Sequence, residues 1–399
     1  MGNSNLRLYF IDAIRAWAIL MMLQGHFVDG LLDTAYRDNT NTYYSIWRYF
    51  RGITAPVFFT VSGFIFTYLL IKADNVGLSN PRVKKGVKRG LQLIIIGYLL
   101  RLNIFGLLNG QIYDSFYLVD VLHCIGVSIL GIIGIYLLTT KRSRYFFPAL
   151  LLIFTLVLFV MEPYYKQYPH HYMPSFLANY LTKAHGSVFT IIPWFGYASI
   201  GAFLSVWFYR FRNSTYLYPV AILSFLGIGT LLIYFSSPFF LSLSNLTGMA
   251  LFSKIYLNNY LFIRLGDVFI VFAVFMFFRR FLTHNTLLNI GKSTLSIYVI
   301  HFIILYGSFT GLGLYRYFHH SLAPSIVIPS AVAFMIVTTI LSLKYEANKA
   351  QIKIHLATGV KAVSNKLAVW LGMESFPGLG IIWSKSKTSL LRLFRMVKN

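Results

Sequence analysis

Long apolar stretches, separated by shorter polar or basic segments, run through most of the chain. A stretch of roughly 20 apolar residues is what an α-helix needs to cross a hydrocarbon core about 30 Å thick. The stretches lack the period-two alternation of half-buried strands. We therefore predict an all-α, polytopic membrane bundle of about ten transmembrane helices. The predicted spans are residues 10–32, 52–72, 89–108, 117–139, 145–161, 188–209, 216–236, 259–281, 294–314 and 324–344.

Composition narrows the class of protein further. Of the 399 residues, 57% are hydrophobic and only 12% are charged, about half the charge of a typical soluble domain. This excludes a disordered chain and an ordinary soluble enzyme. The single cysteine, Cys124, excludes an intramolecular disulfide and a cysteine metal cluster. We predict no metal, because the paired histidines at 170–171 and 319–320 lack acidic residues at metal-site spacing.

The net charge of +24 is unevenly distributed along the chain. Counted over alternate loops and the tail, 25 of the 35 Lys and Arg residues fall on one side of the predicted spans, 8 on the other and 2 within spans. By the positive-inside rule, both termini and the even-numbered loops are cytoplasmic, as in a multi-pass protein of the cell inner (cytoplasmic) membrane. Because the basic residues punctuate apolar runs, we read them as topology signals and predict no nucleic-acid partner.

The end of the chain has a different composition from the rest. We predict a transmembrane domain over residues 1–345 and a basic, amphipathic cytoplasmic tail over 346–399. The tail alternates basic residues with apolar ones, including Phe376 and Trp383. This pattern is typical of a segment on an anionic membrane surface, so membrane lipids are expected partners. A solvated, disordered tail is the alternative.

Ionisable residues in the first predicted span form a polar stripe. Arg15 and His26 are eleven residues apart, about three helical turns, so they share a face with roughly 16 Å of rise between them. Asp12 and Asp29 lie three residues before Arg15 and three after His26. A charge within the hydrocarbon is costly and therefore a candidate functional residue. Asp12 with Arg15 could instead be an interfacial ion pair, but His26 is deeper and is a candidate general base.

Other ionisable residues fall in later spans. Asp120 and His123 are helical neighbours, an arrangement that is either catalytic or structural. Arg101 needs an anionic partner, and Asp120 or Asp267 could supply it. His301 shares a face with Tyr298. Trp194 follows Pro193 at the outer end of the sixth predicted span. It is either an aromatic platform for a sugar or, more simply, part of an interfacial aromatic belt.

The spacing of Arg15 and His26 resembles the R-X10-H signature of the transmembrane acyltransferase superfamily. Further blocks of the chain are similar to that superfamily in the same order, and the pattern is closest to the heparan-alpha-glucosaminide N-acetyltransferase-type catalytic domain, which is related to the acyltransferase-3 group that modifies surface polysaccharides. These blocks are Phe50–Phe59 with Ser62 and Gly63, Gly90–Arg101, Val121–Ile125, Ile192–Gly196 and Leu295–His301.

The resemblance implies transfer of an acyl group, usually acetyl from acetyl-CoA, to a hydroxyl or amine of a glycan or glycolipid outside the membrane. His26 would be the general base or would carry the acyl group itself. Asp12, Asp120 and His123 are the other predicted catalytic residues, with Asp12 holding Arg15 in place. Acyl-CoA is the predicted donor substrate. The residues predicted to bind it are Arg15, Arg101 and His301, with a basic cluster at Arg82, Lys84, Lys85, Lys88 and Arg89.

Two other classes of function fit part of the sequence. A transporter or flippase of a lipid-linked or glycan substrate would explain the spans and the intramembrane charges, but not the R-X10-H spacing with its accompanying blocks. A membrane scaffold would leave the buried charges unexplained. The sequence does not define the acceptor, the acyl chain, the choice between O- and N-transfer, or the oligomeric state.

Overall fold

The computed structural model describes residues 8–166 and 168–370. Within these residues the chain forms sixteen α-helices joined by loops and short 3-10 turns. The helices are α1 Tyr9–Leu31, α2 Thr42–Ile71, α3 Pro81–Arg101, α4 Ile104–Leu108, α5 Val121–Thr139, α6 Phe146–Val160, α7 Glu162–Tyr165, α8 Ser175–Leu181, α9 Ile191–Arg210, α10 Leu217–Thr247, α11 Ala250–Leu257, α12 Tyr260–Phe277, α13 Asn285–Lys292, α14 Thr294–Tyr306, α15 Leu314–Phe318 and α16 Pro324–Trp370.

The predicted helical class is confirmed for the described residues. Six of the helical segments are long and apolar enough to cross a membrane, and a seventh is added if the bent pair α13–α14 counts as one span. The six segments are Thr42–Ile71, Asp114–Thr139, Ile191–Arg210, Leu217–Thr247, Tyr260–Arg280 and Pro324–Ile352. The structure therefore supports a multi-pass membrane protein.

Three predicted spans coincide with helices that do not meet the same criteria of length and composition. Helix α1 carries the polar stripe, α3 begins with a basic turn, and α6 has only 15 residues. The total of ten spans and the cytoplasmic position of both termini remain predictions.

Several long helices begin at a residue whose side chain caps the helix. The Asn41 side chain accepts a hydrogen bond from a backbone N–H in the first turn of α2, and Asn80 does the same for α3, whose first residue is Pro81. Asp120 caps α5 in a reciprocal arrangement with His123. Such caps satisfy amide groups that have no partner within the helix. They fix where the helices that carry the polar residues start.

Small residues allow the helices to pack closely. A side chain on Gly63 of α2 would place its Cβ 1.9 Å from the carbonyl oxygen of Ala198 in α9, and one on Gly201 would lie equally close to the carbonyl oxygen of Thr60. Glycine at these positions brings the two backbones into contact, as is common between membrane helices. Helix α1 meets α13 in the same way, since a Cβ on Gly291 would lie 2.0 Å from the Asp12 carbonyl oxygen.

The chain divides into two compact units, Met1–Ser342 and Leu343–Asn399. The polar stripe of α1 and the residues that surround it all belong to the first unit. In the second unit, the predicted tail is helical as far as residue 370, where α16 ends. Phe376 and Trp383 lie outside the described residues. The association of the tail with a membrane surface remains a prediction.

Candidate active site

A cavity of about 630 Å³ opens between the helices of the first unit. Helices α1, α2, α3, α5 and α14 supply most of its wall. The loop before α9, the start of α9 and the start of α12 complete it. Its lining combines apolar side chains with a small set of polar ones. The polar and amphipathic side chains of the lining include Arg15, His26, Arg51, Thr54, Arg89, Asp120, Lys183, Trp194, Tyr260, Thr294 and Tyr298.

The cavity has two ends, which we name after residues of α1. The Arg15 end contains Arg15 with Arg89 and Thr294, and the His26 end contains His26 with Arg51 and Asp120. Roughly 16 Å of helix separates Arg15 from His26. The prediction that these two side chains share one face of a helix is confirmed by their common position on the cavity wall.

At the Arg15 end, the guanidinium is held by two neighbours. Arg15 Nη2 donates to Thr294 Oγ1 at 3.0 Å, and Arg15 Nη1 lies 3.7 Å from Asp12 Oδ1. Of the basic cluster that the sequence predicts to bind acyl-CoA, Arg89 also lines the cavity. The other four members, which are closer to the start of α3, are not part of the cavity wall.

At the other end, His26 interacts with two residues of α14. His26 Nδ1 lies 3.4 Å from His301 Nε2 and 3.3 Å from the Tyr306 hydroxyl. His301 is fully buried, and its Nδ1 lies 2.5 Å from the carbonyl oxygen of Tyr298. The sequence predicts His301 as a ligand of acyl-CoA, whereas the structure places it behind His26, outside the cavity lining.

When both histidines are neutral, one assignment of protons satisfies the contact with the carbonyl and the contact between the two rings. A carbonyl oxygen only accepts hydrogen bonds, so His301 Nδ1 must carry the proton that the Tyr298 carbonyl accepts. In a neutral His301, Nε2 is then an acceptor, and His26 Nδ1 is the donor to it. The lone pair of His26 is consequently on Nε2, for which the described residues provide no hydrogen-bonding partner. That arrangement suits a general base or a nucleophile.

A second polar group surrounds the start of α5. Arg101 Nε and Nη2 each lie 3.1 Å from Asp120 Oδ2, so Asp120 is the partner that Arg101 requires. The other predicted candidate, Asp267, pairs with Arg264 at 2.9 Å. Asp120 lines the cavity, but Arg101 does not.

His123 is turned away from the cavity. Its Nδ1 accepts a hydrogen bond of 3.0 Å from the backbone N–H of Asp120 and thereby completes the cap of α5. Its ring is fully buried and packs on Gly97 and Tyr98, with 4.3 Å between the His123 and Tyr98 ring centroids. The structure thus brings Asp120 to the site but not His123.

Two cationic side chains of the cavity lining were not singled out as site residues by the sequence. Arg51 Nη2 lies 2.5 Å from Asp29 Oδ2, and Lys183 comes from the loop before α9. Burial, together with nearby Lys166, lowers the pKa of the Lys183 ammonium below its ordinary value. Both belong to the eight basic residues on the less basic side of the predicted spans, and this position was the available sequence signal for them.

Trp194 lies inside the protein and not in an interfacial belt. The side chain is 5% exposed and packs on Phe59 and Phe189, with ring centroids 5.1 and 4.9 Å away. Its indole lines the cavity, and its Nε1–H has no hydrogen-bonding partner among the described residues. The other alternative, a platform for a sugar, stays a prediction.

These features define a class: a helical membrane protein with an internal polar cavity, in which one helix presents an arginine and a histidine at R-X10-H spacing. The chain matches the model of the family described as heparan-alpha-glucosaminide N-acetyltransferase, catalytic, over residues 7–238. The match covers more than half of the chain, which therefore belongs to this family. The resemblance predicted from the sequence is confirmed. A search of curated proteins gives no match.

Membership of this family implies a transferase, and specifically a membrane acetyltransferase. The matched residues include Arg15, His26 and Asp120, whereas α14 with His301 lies beyond them. The described residues contain no group of three or more His, Cys, Asp or Glu side chains arranged to hold a metal ion.

Proposed function

We propose that the protein transfers an acetyl group from cytoplasmic acetyl-CoA to a hydroxyl or amine of an extracytoplasmic glycan or glycolipid. The observation that carries this proposal is the cavity that joins Arg15 to His26, with His26 Nδ1 bonded and Nε2 without a partner among the residues that the structure describes. The family match supports the acetyltransferase class. The inner membrane is the proposed location, and membrane lipids are proposed partners.

Acetyl-CoA would bind with its phosphates at the Arg15 end. Arg15 and Arg89 present cationic groups there, and guanidinium groups suit phosphate because they form paired, charge-assisted hydrogen bonds. Between the two ends the wall is apolar, with Ile19, Phe66 and Leu93 among its residues. This part of the cavity would hold the uncharged arm of the donor and lead the thioester towards His26.

The chemistry would take place at His26. In direct transfer, Nε2 accepts the proton of the acceptor hydroxyl or amine, whose oxygen or nitrogen attacks the thioester carbonyl carbon. The C–S bond then breaks and CoA leaves as its thiolate, which takes up a proton. In the alternative route, Nε2 attacks the thioester first, CoA leaves, and the acceptor then removes the acetyl group from the histidine. His301 would hold the tautomer that both routes require.

The remaining predicted site residues would position other groups and would not react themselves. Asp12 would position Arg15 and moderate its charge. Asp120 would form one wall of the His26 end, with Arg101 fixing its carboxylate and His123 completing the helix cap that holds it. Arg101 and His123 are thus proposed as positioning residues. No observation favours the transporter alternative, because the family match is to a catalytic domain.

Sealed vesicles of defined orientation would test the proposal. Radiolabelled acetyl-CoA is supplied on the cytoplasmic face, and an impermeant glycan acceptor is placed on either face in separate reactions. We expect label on the acceptor only when it faces the extracytoplasmic side. Labelling only on the cytoplasmic side would refute the proposed direction, and vesicles with His26→Ala protein supply the blank.

A further inference from the structure

Two arginines from different loops converge on one tyrosine beside the starts of α6 and α10. Arg144 Nη2 and Arg210 Nη2 each donate to the Tyr145 hydroxyl oxygen at 3.1 Å, and both guanidinium carbons lie 5.0 Å from the centroid of the Tyr145 ring. Arg144 and Tyr145 directly precede α6, and Arg210 is the last residue of α9. Two separate helices therefore bring two cations to a single phenol. We call Arg144, Tyr145 and Arg210 the Tyr145 cluster.

The positive charge of the Tyr145 cluster is not balanced by the protein. Two nitrogens bonded to one oxygen are at most about 6 Å apart, and two positive charges at that distance repel each other. Among the residues that the structure describes, no carboxylate forms an ion pair with either arginine. The two loops, residues 140–145 and 210–216, contain no Asp or Glu. An anion that contacts both guanidinium groups would remove the repulsion.

The cluster offers hydrogen-bond donors to such an anion. Each arginine uses Nη2 on the tyrosine, and a guanidinium has further N–H groups and no acceptor. The Tyr145 oxygen accepts from both arginines, and its own proton has no acceptor in the described part of the chain. All three side chains are exposed. Phosphate oxygens match this set, because they only accept and they bind the planar guanidinium in pairs.

The surroundings of the cluster favour a lipid over a soluble phosphate compound. Beside Arg210, the exposed rings of Trp207 and Phe211 are stacked, with 5.7 Å between their centroids. Exposed aromatic residues of this kind are typical of the headgroup level of a membrane. Helix α6, which begins directly after the cluster, has no charged residue and exposes a row of apolar side chains that includes Ile153 and Val157. The cluster thus lies where a polar surface meets an apolar one.

The cluster and the Arg15 end of the cavity are at the same end of the helices. Phe10, at the start of α1, packs on Phe208 near the end of α9 and on Tyr218 at the start of α10, with ring centroids 5.9 and 6.2 Å away. The predicted topology counts both arginines of the cluster on the more basic, cytoplasmic side. Anionic phospholipids give the cytoplasmic leaflet its negative surface potential.

We propose that the Tyr145 cluster binds the phosphate of an anionic phospholipid in the cytoplasmic leaflet. Arg144 and Arg210 would share the phosphate oxygens, and the Tyr145 hydroxyl would donate a third hydrogen bond. The acyl chains of the lipid would lie along the exposed apolar side of α6. None of the three residues lines the cavity, so the lipid site is separate from the proposed active site.

Ligand-dependent thermal unfolding of the full-length protein tests the lipid site. The purified protein, in a neutral detergent at constant ionic strength, is titrated with short-chain phosphatidylglycerol, phosphatidylcholine of the same chain length, glycerol 3-phosphate or inorganic phosphate. Phosphatidylglycerol should raise the unfolding temperature at concentrations at which the other three do not. Replacing both arginines, as Arg144→Gln with Arg210→Gln, should weaken the apparent affinity for phosphatidylglycerol roughly tenfold.

Arg142→Gln with Arg212→Gln is the matched control. This double variant removes the same charge from the same two loops, but Arg212 lies over the Tyr209 ring at 4.0 Å and neither arginine is bonded to the Tyr145 hydroxyl. It should keep most of the affinity, measured against its own unfolding temperature without lipid. Tyr145→Phe keeps every charge and removes only the shared oxygen, so it should weaken the affinity about threefold. It also provides a test if the first double variant does not fold.

Several results would overturn the lipid site. An absent response to phosphatidylglycerol, an equal response to phosphatidylcholine, or an unchanged affinity in Tyr145→Phe would each contradict it. Equal weakening by the two double variants would mean that the lipid is attracted by the basic charge of this end as a whole. An equal response to glycerol 3-phosphate or inorganic phosphate would mean that the cluster binds a soluble phosphate compound and not a lipid.

Discussion

The two histidines that the sequence singles out most clearly, His26 and His123, have opposite environments. His26 lies on the cavity wall, with Nδ1 bonded from behind and Nε2 unpartnered among the described residues. His123 is buried, with Nδ1 bonded to the Asp120 backbone and its ring enclosed by Gly97 and Tyr98. Each has a carboxylate three residues away in sequence, Asp29 for the first and Asp120 for the second. The neighbouring acid therefore does not distinguish a reacting histidine from a helix cap.

What distinguishes them is the direction in which the free nitrogen faces. A general base must reach a substrate proton, so its unprotonated nitrogen has to border space that a substrate can fill. His26 meets that condition and His123 does not. We therefore expect a substitution of His26 to reduce turnover, and a substitution of His123 to affect mainly stability.

The largest effect is expected from His26→Ala. Removing the general base or acyl carrier should reduce acetyl transfer by about 100-fold to 10,000-fold, the usual contribution of such groups. Turnover of radiolabelled acetyl-CoA by the purified protein measures this, with the unfolding temperature as a check on folding. His123→Ala is the matched comparison and should keep most of the turnover. Retained turnover in His26→Ala, or equal loss of turnover in both variants, would show that the two histidines do not have the different roles inferred from their environments.

The next effect is expected from His301→Ala. Without His301 Nε2 as the acceptor, His26 is no longer held as the Nδ1–H tautomer, and kcat should fall by roughly 10-fold to 100-fold. The affinity for acetyl-CoA should change little, because His301 does not line the cavity. His301→Gln, whose amide oxygen can accept the same hydrogen bond, should recover part of kcat. A rise in KM for the donor at unchanged kcat would instead support the earlier prediction that His301 binds acyl-CoA.

A smaller and different effect is expected from Arg15→Lys. Lysine keeps the charge but loses the planar pair of donors that matches a phosphate, so KM for acetyl-CoA should rise about tenfold with a lesser change in kcat. Arg82→Lys is the control, since Arg82 is in the basic cluster that was predicted to bind acyl-CoA but is not part of the cavity wall. Equal donor affinity in the two variants would mean that Arg15 has a structural role.

The smallest effect on activity, with a measurable one on stability, is expected from Gly97→Ala. The added Cβ would lie 2.5 Å from Cε1 of His123, and the buried ring has little room to move. Overpacking of this kind costs about 1–3 kcal/mol. Gly134→Ala is the control, because the added carbon there would have no heavy atom within 4 Å beyond its own helix turn, and this variant should not be destabilised. Thermal unfolding of both variants, with turnover measured in parallel, checks the contrast.

The fold class and the stripe on α1 could be predicted because each depends on local sequence. Apolar runs determine where long helices form, and a spacing of eleven residues places Arg15 and His26 on one face without knowledge of any neighbour. The number of spans was harder to predict, since α1 and α3 carry enough polar residues to lower their mean hydropathy. Where a helix is polar because it lines a cavity, composition alone no longer measures whether it can cross a membrane.

Most of the candidate site depends on contacts between distant parts of the chain. His301 meets His26 across 275 positions, and nothing in the spacing of either residue indicates this. Of two possible partners for Arg101, only the structure selects Asp120. Trp194 has the sequence context of an interfacial aromatic residue, and packing against Phe59 is what places it inside. Pairings of this kind are set by how helices assemble, which local patterns do not encode.

Helix α14 has a consequence for how the two ends of the cavity are coordinated. Its break from α13, a bend of 69°, puts Thr294 at the helix start, where it binds Arg15, and seven residues later the same helix supplies His301 to His26. Seven residues are close to two turns, or roughly 10 Å. One short helix therefore fixes the distance between the residue that holds Arg15 and the residue that holds His26. Because one residue corresponds to about 100° of rotation, a single insertion within it would turn His301 away from His26 while Thr294 stayed in place.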